Sequence, residues 1–590
     1  MNKQAADTRI TAKLMFRLLP IQVILAAVSS VNGIVSSYFA SNYIGISAMT
    51  VVGLYGPLNL FLTAIGTMLV GGSAILSGKY MGQNQQEKLQ NVFSLNMLIS
   101  SVVAVVFVVL FLILGLFDLT GFLTSDPEVR PLFNKYLLGQ AIGLYPFVLG
   151  CELPPFLAVE NKGKRTMRAS IVFIIVNILF DYLFICVLHM GVFGLALAGS
   201  LGMWVFTGIE ASYFLSGKSH LKLTWKHLQW SEGAAIVKIG FPGAASSGYQ
   251  TLRGLIVNWL IAAFVGSVGI SAFASSDSVL RIFWAVPAGM LAVSRLMISV
   301  SIGEEDRKTL TSIMRVMFTR FLPLMGLICA GIITCAVPLT RIFYHDPAEP
   351  VFMMTVWGFR ILPLCMPLSI IVMHFTCYGQ ADGKTAFVHI LSLLDGVVCV
   401  AGFSALLIRT LGMNSVYVAN VLNGVVTVLF VLGYAWFKKR RFPRSMDDLM
   451  VIPEDFGVPE EARLDLTIRS IEDVVTISQQ VQDFCRSRSI DARRAYLAGL
   501  AMEEMAGNIV DHGFVKDTKE HSVDVRVVHK NDDVILRLRD DCVTFDPGTR
   551  QKMAEGDDIA KNIGIRMVFK IARSIQYQTI LGLNVLTIRI

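Results

Sequence analysis

The chain has 590 residues, of which 54% are hydrophobic and only 16% charged, and its mean hydropathy is +0.60. A soluble protein of this length carries about 25% charge, so a wholly soluble chain is excluded; a disordered one is excluded by the ample apolar surface available for burial. The nine cysteines form no C-x-x-C pair, which excludes a disulfide scaffold or a cysteine zinc site as the organising feature.

Charge divides the chain in two. Residues 1–450 hold 32 Lys+Arg against 20 Asp+Glu, a net of +12, whereas residues 451–590 hold 19 against 23, a net of −4. Twelve apolar runs in the first part reach the roughly 20 residues that cross a bilayer. They lie at about 15–38, 51–76, 92–117, 136–158, 169–188, 193–215, 236–264, 271–300, 317–339, 352–378, 386–408 and 414–437. The first is too long for the core of a cleaved signal peptide and simply opens the series. After the last comes the basic cluster Lys438–Arg441, a flank that also suits anionic lipid, and then a linker bearing Pro, Asp and Glu.

Loop charge predicts the orientation. With the N-terminus inside, the inner side collects Lys3, Arg9, Lys13, Arg17, Lys79, Lys88, the 162–168 cluster, Lys218, Lys222, Lys226, Lys238, Arg307, Lys308, Arg315, Lys384 and the 438–441 cluster; the outer loops hold only Arg130, Lys135, Arg341 and Arg409. The positive-inside rule therefore predicts a multi-pass plasma-membrane protein with both termini cytoplasmic.

The spans also repeat. Pro20 matches Pro242, Gly82 matches Gly303, Asp126-Pro127 matches Asp346-Pro347, Pro146 matches Pro367, Gly163-Lys164 matches Gly383-Lys384, and Gly191 matches Gly412, all at offsets of 220 to 222. The pattern predicts two parallel six-helix halves, at 1–225 and 226–440, around a central cavity that rocks open to either side. A linker at 441–462 and a second domain at 463–590 follow.

The stretches "LVGGSAILSGKYMGQNQQEKLQNVFS", "FLTSDPEVRPLFNKYL" and "GKRTMRASIVFIIVNILFDYLFICVLHMGVFGLALAGS", in a frame of two six-span repeats, resemble the MATE family of multidrug and toxin extrusion antiporters over roughly residues 10–440. The resemblance implies export of cationic, amphiphilic compounds coupled to Na⁺ or H⁺. Related branches of the wider superfamily flip lipid-linked sugars.

Coupling requires an ionisable group that changes partner, and each intramembrane charge is a candidate by default. Those considered are Glu152, Asp181, Glu210, Arg253, Asp277, Arg281, Arg360 and Asp395. Asp277 and Arg281 stand at i,i+4, a spacing at which they neutralise each other. Glu152 precedes Pro154-Pro155, where a broken helix can line a cavity. Asp181 follows Asn177 by four residues, a pair that resembles the family's fifth span. Glu210 lies near a helix end and is expected to reach the membrane interface. Arg253 and Arg360 suit an anionic substrate or a carboxylate partner. The chain departs from the family pattern by having Val35-Ser36-Ser37 where many relatives carry an Asp, and no acid in the seventh and tenth spans. Several methionines, among them Met290, Met297, Met353 and Met366, suit an adaptable cavity or ordinary packing.

From Arg463 the texture changes. "RLDLTI", "SVDVRVVHK" and "DVILRLRDD" read as strands, Ile471–Arg488 and Ala492–Asp511 as amphipathic helices, "NIGIRMVFKIARSI" as a third helix, and "YQTIL" with "NVLTIRI" as a closing hairpin. The predicted fold class is thus an all-α membrane domain of 12 transmembrane helices followed by a soluble α+β sandwich.

In "LAMEEMAGNIVDHGF", Glu504 and Asn508 share a helix face and can hold Mg²⁺ and polarise a water. Asp540 ends a strand, and Asn562–Gly564 open a helix whose N-terminus suits phosphate. In this order the segments resemble the GHKL ATP-binding fold, and within it the anti-sigma-factor serine kinases. The resemblance implies ATP and Mg²⁺ as cofactors, with Glu504 as base, Asn508 as Mg²⁺ ligand, Asp540 as adenine contact, Asp546 and Gly564 as loop residues, and His512 completing an N-x-x-x-H pattern. Two glycines are replaced: the expected D-x-G reads Asp540-Asp541-Cys542, and the expected G-x-G reads Asn562-Ile563-Gly564.

No Walker A loop is present. The leading expectation is a cation-coupled exporter of small molecules with a cytoplasmic ATP-binding regulatory domain. Its partners are the lipid bilayer and a small-molecule substrate; a nucleic acid is not expected. The alternatives are a membrane-tethered signalling protein whose domain binds or phosphorylates a protein partner, and a flippase of lipid-linked cargo.

Overall fold

A computed structural model of the chain describes residues 3–122, 126–225, 228–514, 521–530, 533–542, 547, 563–580 and 583–590. The chain divides into two compact units, the first Met1–Ala158 with Lys162–Ile452 and the second Val159–Asn161 with Pro453–Ile590.

The first unit contains twelve long helices in succession. They are α1 (Lys3–Phe39), α2 (Ile46–Gly82), α3 (Gln86–Leu116), α4 (Val129–Val159), α5 (Gly163–Val187) and α6 (Gly191–Leu215), followed by α7 (Trp230–Phe264), α8 (Ser267–Gly303), α9 (Arg307–Thr334), α10 (Pro350–Ala381), α11 (Thr385–Leu411) and α12 (Asn414–Lys439). Eleven are long and apolar enough to cross a membrane. The exception is α7, which forms at 35 residues but interrupts its apolar sequence with Lys238, the small and polar run Gly243–Gln250, and Arg253. The seventh predicted span, 236–264, is therefore formed as a continuous helix, less apolar in its middle than the other eleven.

Four π-turns widen these helices, at Ala40–Ile44, Tyr182–Val187, Met317–Phe321 and Leu394–Val398. Such turns gather at functional sites because they re-aim side chains within a helix. Here one directly follows Asp181 and another contains Asp395.

The loops after α2, α4, α6, α8 and α10 share one end of the bundle, which carries most of the loop lysines and arginines and is called here the basic end. The first and second sets of six helices press together at this end. At Gly82, a Cβ would stand 2.9 Å from Glu304 N and 3.1 Å from Gly303 C; at Gly303, one would stand 2.9 Å from Lys79 C. Gly72 and Gly240 fit the backbones of Ile236 and Met68 in the same way, and Gly289 fits Val23. Only glycine permits backbone approach this close. Toward the other end, Gly53, Gly56 and Gly66 on α2 and Gly248 and Gly254 on α7 meet nothing within 4 Å. The two sets of helices thus close at the basic end and part toward the opposite one. Gly82 and Gly303, matched in the sequence repeat, are the two sides of one helix crossing.

Beyond α12, Ser445 caps a short helix, Met446–Met450. Buried Asp448 pairs with Arg441 at 3.0 Å, and Lys384 donates to the carbonyls of Met450 and Val451, each at 2.9 Å. The chain is therefore fixed against the membrane unit as far as Ile452.

The second unit has strands β1 (Arg463–Ile468), β2 (Val523–Lys530), β3 (Asp533–Asp540), β4 (Ser574–Ile580) and β5 (Leu583–Arg589), and helices α13 (Ile471–Ser487), α14 (Ala492–Gly513) and α15 (Ile563–Ile571). The sheet is antiparallel throughout, in the order β1-β2-β3-β5-β4. β3 alternates between half-buried and buried residues, as a sheet covered on one face by helices requires. Val525, Val527, Leu536, Leu538 and Ile588 meet Ala498, Met502, Met505 and Val481 in a continuous core. All five predicted strands and all three helices are formed. The third helix is shorter than expected, ending at Ile571, because β4 begins at Ser574.

Candidate functional site

Two regions concentrate buried polar chemistry, one in each unit. In the membrane unit the first set of six helices holds three fully buried acids, Glu152, Asp181 and Glu210. Asn177 Nδ2 donates to Asp181 Oδ2 at 3.0 Å and to Asn32 Oδ1 at 2.7 Å, which joins α5 to α1. Asp181 Oδ1 and Asn177 Oδ1 have no hydrogen-bond partner. An orphaned buried acceptor is costly, and it is what a site for a small cation presents.

Glu152 on α4 accepts from Asn96 Nδ2 on α3 at 2.8 Å. Glu210 does not reach toward the interface as the sequence led us to expect. It is fully buried, because α6 lies close to α4, where Gly150 leaves room for Thr207 and Phe206.

The second set of helices behaves differently. Asp277 and Arg281 form an exposed pair at 2.7 Å. Arg253 meets the backbone carbonyl of Asp395 at 3.4 Å, and the Asp395 carboxylate accepts from Asn423 Nδ2 at 2.8 Å. Arg360 is exposed and lies over the Trp357 ring at 5.5 Å. These five residues are not brought together with Glu152 and Asp181.

Sequence reasoning missed two buried contacts. His374 is fully buried; its Nδ1 lies 2.7 Å from Ile370 O and its Nε2 2.7 Å from Ser294 Oγ. A carbonyl can only accept, so Nδ1 carries the proton and Nε2 accepts from the serine. Tyr80 on α2 donates to Glu232 on α7 at 2.6 Å, bridging the two sets of helices at the basic end. Glu232 lies outside every predicted span, and no local signal marks its partner.

In the second unit, α14 carries Glu504 and Asn508 on one face. Asn508 Nδ2 turns back to the Glu504 carbonyl at 2.6 Å, which leaves the amide oxygen as its ligand atom. Gly564 opens α15 directly against Glu504: a Cβ there would lie 2.6 Å from the Glu504 Cδ. The expected glycine thus gives room to the catalytic candidate and places its carboxylate at a helix N-terminus, where negative charge is favoured.

Asp540 is buried at the end of β3. Its Oδ1 accepts from Asn584 Nδ2 at 2.7 Å and from Cys542 N at 2.9 Å, and Asn584 is held in turn by Tyr577. Burial pushes the Asp540 carboxyl above the usual carboxylate range. Burial, followed by the charges of Asp540 and Asp541, pushes the Cys542 thiol up to about 12, so this cysteine is a packed thiol and not a nucleophile. It fits because Gly513, at the end of α14, lies under it, with a Gly513 Cβ position 2.8 Å from Cys542 Cβ. The glycine missing from D-x-G is thus compensated across the contact. His512 is exposed and stands at the end of α14, while Asp546 and Asn562 lie outside the described residues.

This geometry can be set beside known proteins. The MatE family model matches residues 20–183, and that of the histidine kinase-like ATPase domain matches residues 469–590. Similar solved structures include a MATE protein in complex with MaD3S (21% identity, TM-score 0.67) and the outward-facing conformation of a multidrug resistance MATE family transporter (20%, 0.67). A third is a MOP superfamily transporter from Pyrococcus furiosus described as having reverse polarity of its binding pocket (21%, 0.67). Each covers 76% of this chain and 99% of its own.

The membrane unit has the MATE fold.

A histidine-kinase-like ATPase domain follows it. Protein DETOXIFICATION 39 of Arabidopsis thaliana is 22% identical over 223 residues, which are 38% of this chain and 43% of that protein. The match thus spans less than half the length of that curated relative. Within the MATE fold, the Asn32–Asn177–Asp181 cluster lies in the part of the chain that the family model covers.

Proposed function

We propose that this chain is a secondary transporter that exports small amphiphilic cations in exchange for Na⁺ or H⁺, and that its ATPase-like domain regulates transport from the cytoplasm. The observation that carries the reading is the Asn32–Asn177–Asp181 cluster, a buried carboxylate with orphaned oxygens in a bundle closed at one end and parted at the other. Loop charge supports a cytoplasmic basic end, so the conformation described faces outward. Conversion to the inward-facing state separates the Gly82–Gly303 crossing and breaks the Tyr80–Glu232 hydrogen bond. Binding of a cation at Asp181 satisfies the orphaned oxygens and biases that equilibrium.

The residues of the second unit fit a magnesium nucleotide. Asp540 offers a buried carboxyl for an adenine amino group, the Asn508 amide oxygen is a hard ligand of the kind Mg²⁺ takes, and Glu504 can hold the proton of an attacking water or hydroxyl. When bound, the nucleotide supplies a phosphoryl group for hydrolysis or transfer. The fixing of residues 441–452 by Lys384 and Arg441 ties the segment before Pro453 to the α10–α11 loop, which supports a regulatory role.

A second reading, flipping of anionic lipid-linked cargo, draws support from exposed Arg360. Ethidium accumulation in efflux-deficient bacteria separates the two. Wild type is expected to lower dye, and Asn508→Ala and a truncation after Ile452 to change the rate without abolishing membrane insertion. Unchanged dye with inserted, monodisperse wild-type protein refutes cation export and favours the second reading.

A further inference from the structure

At the basic end, α7 turns two faces to different surroundings. Ile236 and Gly240 pack on α2 at Gly72 and Met68. On the opposite side Trp230, Ala234, Val237, Lys238 and Phe241 are all exposed, and at about 100° per residue they share an arc of about 100°. They line an open crevice of about 680 Å³, a volume in the range of small-molecule sites. One wall is Ile99 on α3, whose Cδ1 lies 3.3 Å from the Gly233 Cβ position. The other is Thr385 and His389, one turn apart at the start of α11, with the His389 ring 5.9 Å from that of Phe241. Because α3 belongs to the first set of helices and α7 and α11 to the second, the crevice lies on the seam between them.

Its depth follows from its neighbours. Lys238 stands at the start of the apolar run 236–264, and exposed Trp225 and Trp230 precede it. Exposed tryptophans beside an apolar run mark the headgroup level of a bilayer. The connector that carries Trp225 is held against α3: Thr224 N donates to Ser94 Oγ at 3.1 Å and Gln229 N to Asn91 Oδ1 at 3.3 Å. The polar groups of the crevice suit an anion. Lys238 has no ion-pair partner among the described residues, His389 and Thr385 each offer a donor, and no acid lines the walls. Snorkelling alone accounts for an exposed lysine at this level. It does not account for a lysine, a histidine and a threonine brought by two helices to one concavity whose remaining walls are apolar.

We propose that this crevice binds an anionic phospholipid of the leaflet at the basic end, its phosphate held by Lys238, His389 and Thr385 and its chains lying over Ile99, Val237 and Phe241. Basic pockets between membrane helices recognise such headgroups. Free phosphate shares the headgroup chemistry but leaves the apolar walls uncovered. A lipid seated here touches both sets of helices where they close, so it favours the closed basic end. The site stands without the transport reading above; its effect on closure rests on the outward-facing assignment made there.

The test uses the full chain in nanodiscs of phosphatidylcholine with and without phosphatidylglycerol. Native mass spectrometry is expected to show phosphatidylglycerol retained in preference to phosphatidylcholine, and inorganic phosphate at equal ionic strength is expected not to displace it. Lys238→Gln should weaken retention about fivefold, the effect of one cation beside an anionic lipid. Lys238→Arg should restore it, and Lys222→Gln, exposed outside the crevice, should match wild type. Maleimide labelling of Ser299→Cys, buried where α2 and α8 cross, should be slower with phosphatidylglycerol, and Lys238→Gln should abolish that difference. Weaker retention in Lys238→Gln, with labelling indifferent to the lipid, supports the site and overturns its effect on closure. Retention in Lys238→Gln equal to wild type, equal retention of the two lipids, or displacement by inorganic phosphate overturns the lipid site.

Discussion

Replacing Gly303 with alanine should open the basic end. The new Cβ would lie 2.9 Å from Lys79 C and 3.0 Å from Lys79 Cα, nearer still to the Lys79 carbonyl oxygen. These are backbone atoms, so no rotamer relieves the contact and α2 and α8 must separate. Overpacking of this kind costs about 1–3 kcal/mol. The cost falls only on the state in which the helices cross, because the crossing is lost when the basic end opens. At about 1.4 kcal/mol per factor of ten, a mid-range penalty of about 2 kcal/mol moves the closed-to-open ratio by roughly 30-fold. The assay is maleimide labelling of Ser299→Cys, whose side chain is fully buried against Gly78 in the closed state. Gly303→Ala in that background should label markedly faster. Gly53→Ala, on α2 where nothing lies within 4 Å, should not change labelling, and as a helix-interior glycine it should gain up to about 1 kcal/mol of stability. Equal labelling in the two variants would refute the assignment of the crossing as the closure.

Three further outcomes follow from the same contacts. Tyr80→Phe removes a hydrogen bond to a carboxylate worth about 1.5–3 kcal/mol and should raise Ser299→Cys labelling to an extent comparable with Gly303→Ala. Gly564→Ala should push the Glu504 carboxylate aside, since the atoms its Cβ meets are the end of a flexible side chain, and so change β3 hydrogen exchange in the full chain by less than about 1 kcal/mol; a large loss of protection would refute this placement of Glu504. Because the Asp540 carboxyl is raised in the folded state, the native chain holds its proton more tightly than the unfolded chain. Its stabilising contribution is therefore complete below the ordinary aspartate range and is lost as pH rises through the folded value. Asp540→Asn should accordingly slow β3 exchange relative to wild type at neutral pH, and that advantage should shrink as the pH falls into the acid range.

Much of this architecture was legible in sequence because it depends on periodicity. The 221-residue offset between Gly82 and Gly303 marked a real helix crossing, since both positions must be glycine for the same contact. The strands and helices after Arg463 were readable because one face of each packs on a single core. The seventh span was legible as an apolar run at 236–264 even though its helix carries the polar and small stretch Gly243–Gln250 at its centre. Glu210 misled because proximity to a helix end is a one-dimensional property, whereas its burial depends on how α4 and α6 meet at Gly150 and Thr207. The Tyr80–Glu232 bridge spans 152 residues and has no local signature. Cys542 looked like a lost glycine until Gly513 was seen beneath it. Asn177 and Asp181, by contrast, were readable as a pair because i and i+4 share a helix face.

The most direct test of the account is dye transport by the purified full chain in liposomes under imposed Na⁺ or pH gradients, comparing wild type with Asp181→Asn. Wild type should move ethidium against one of these gradients, and the aspartate variant, folded and inserted, should lose that coupling. Gradient-driven transport by Asp181→Asn equal to that of wild type would contradict the central claim.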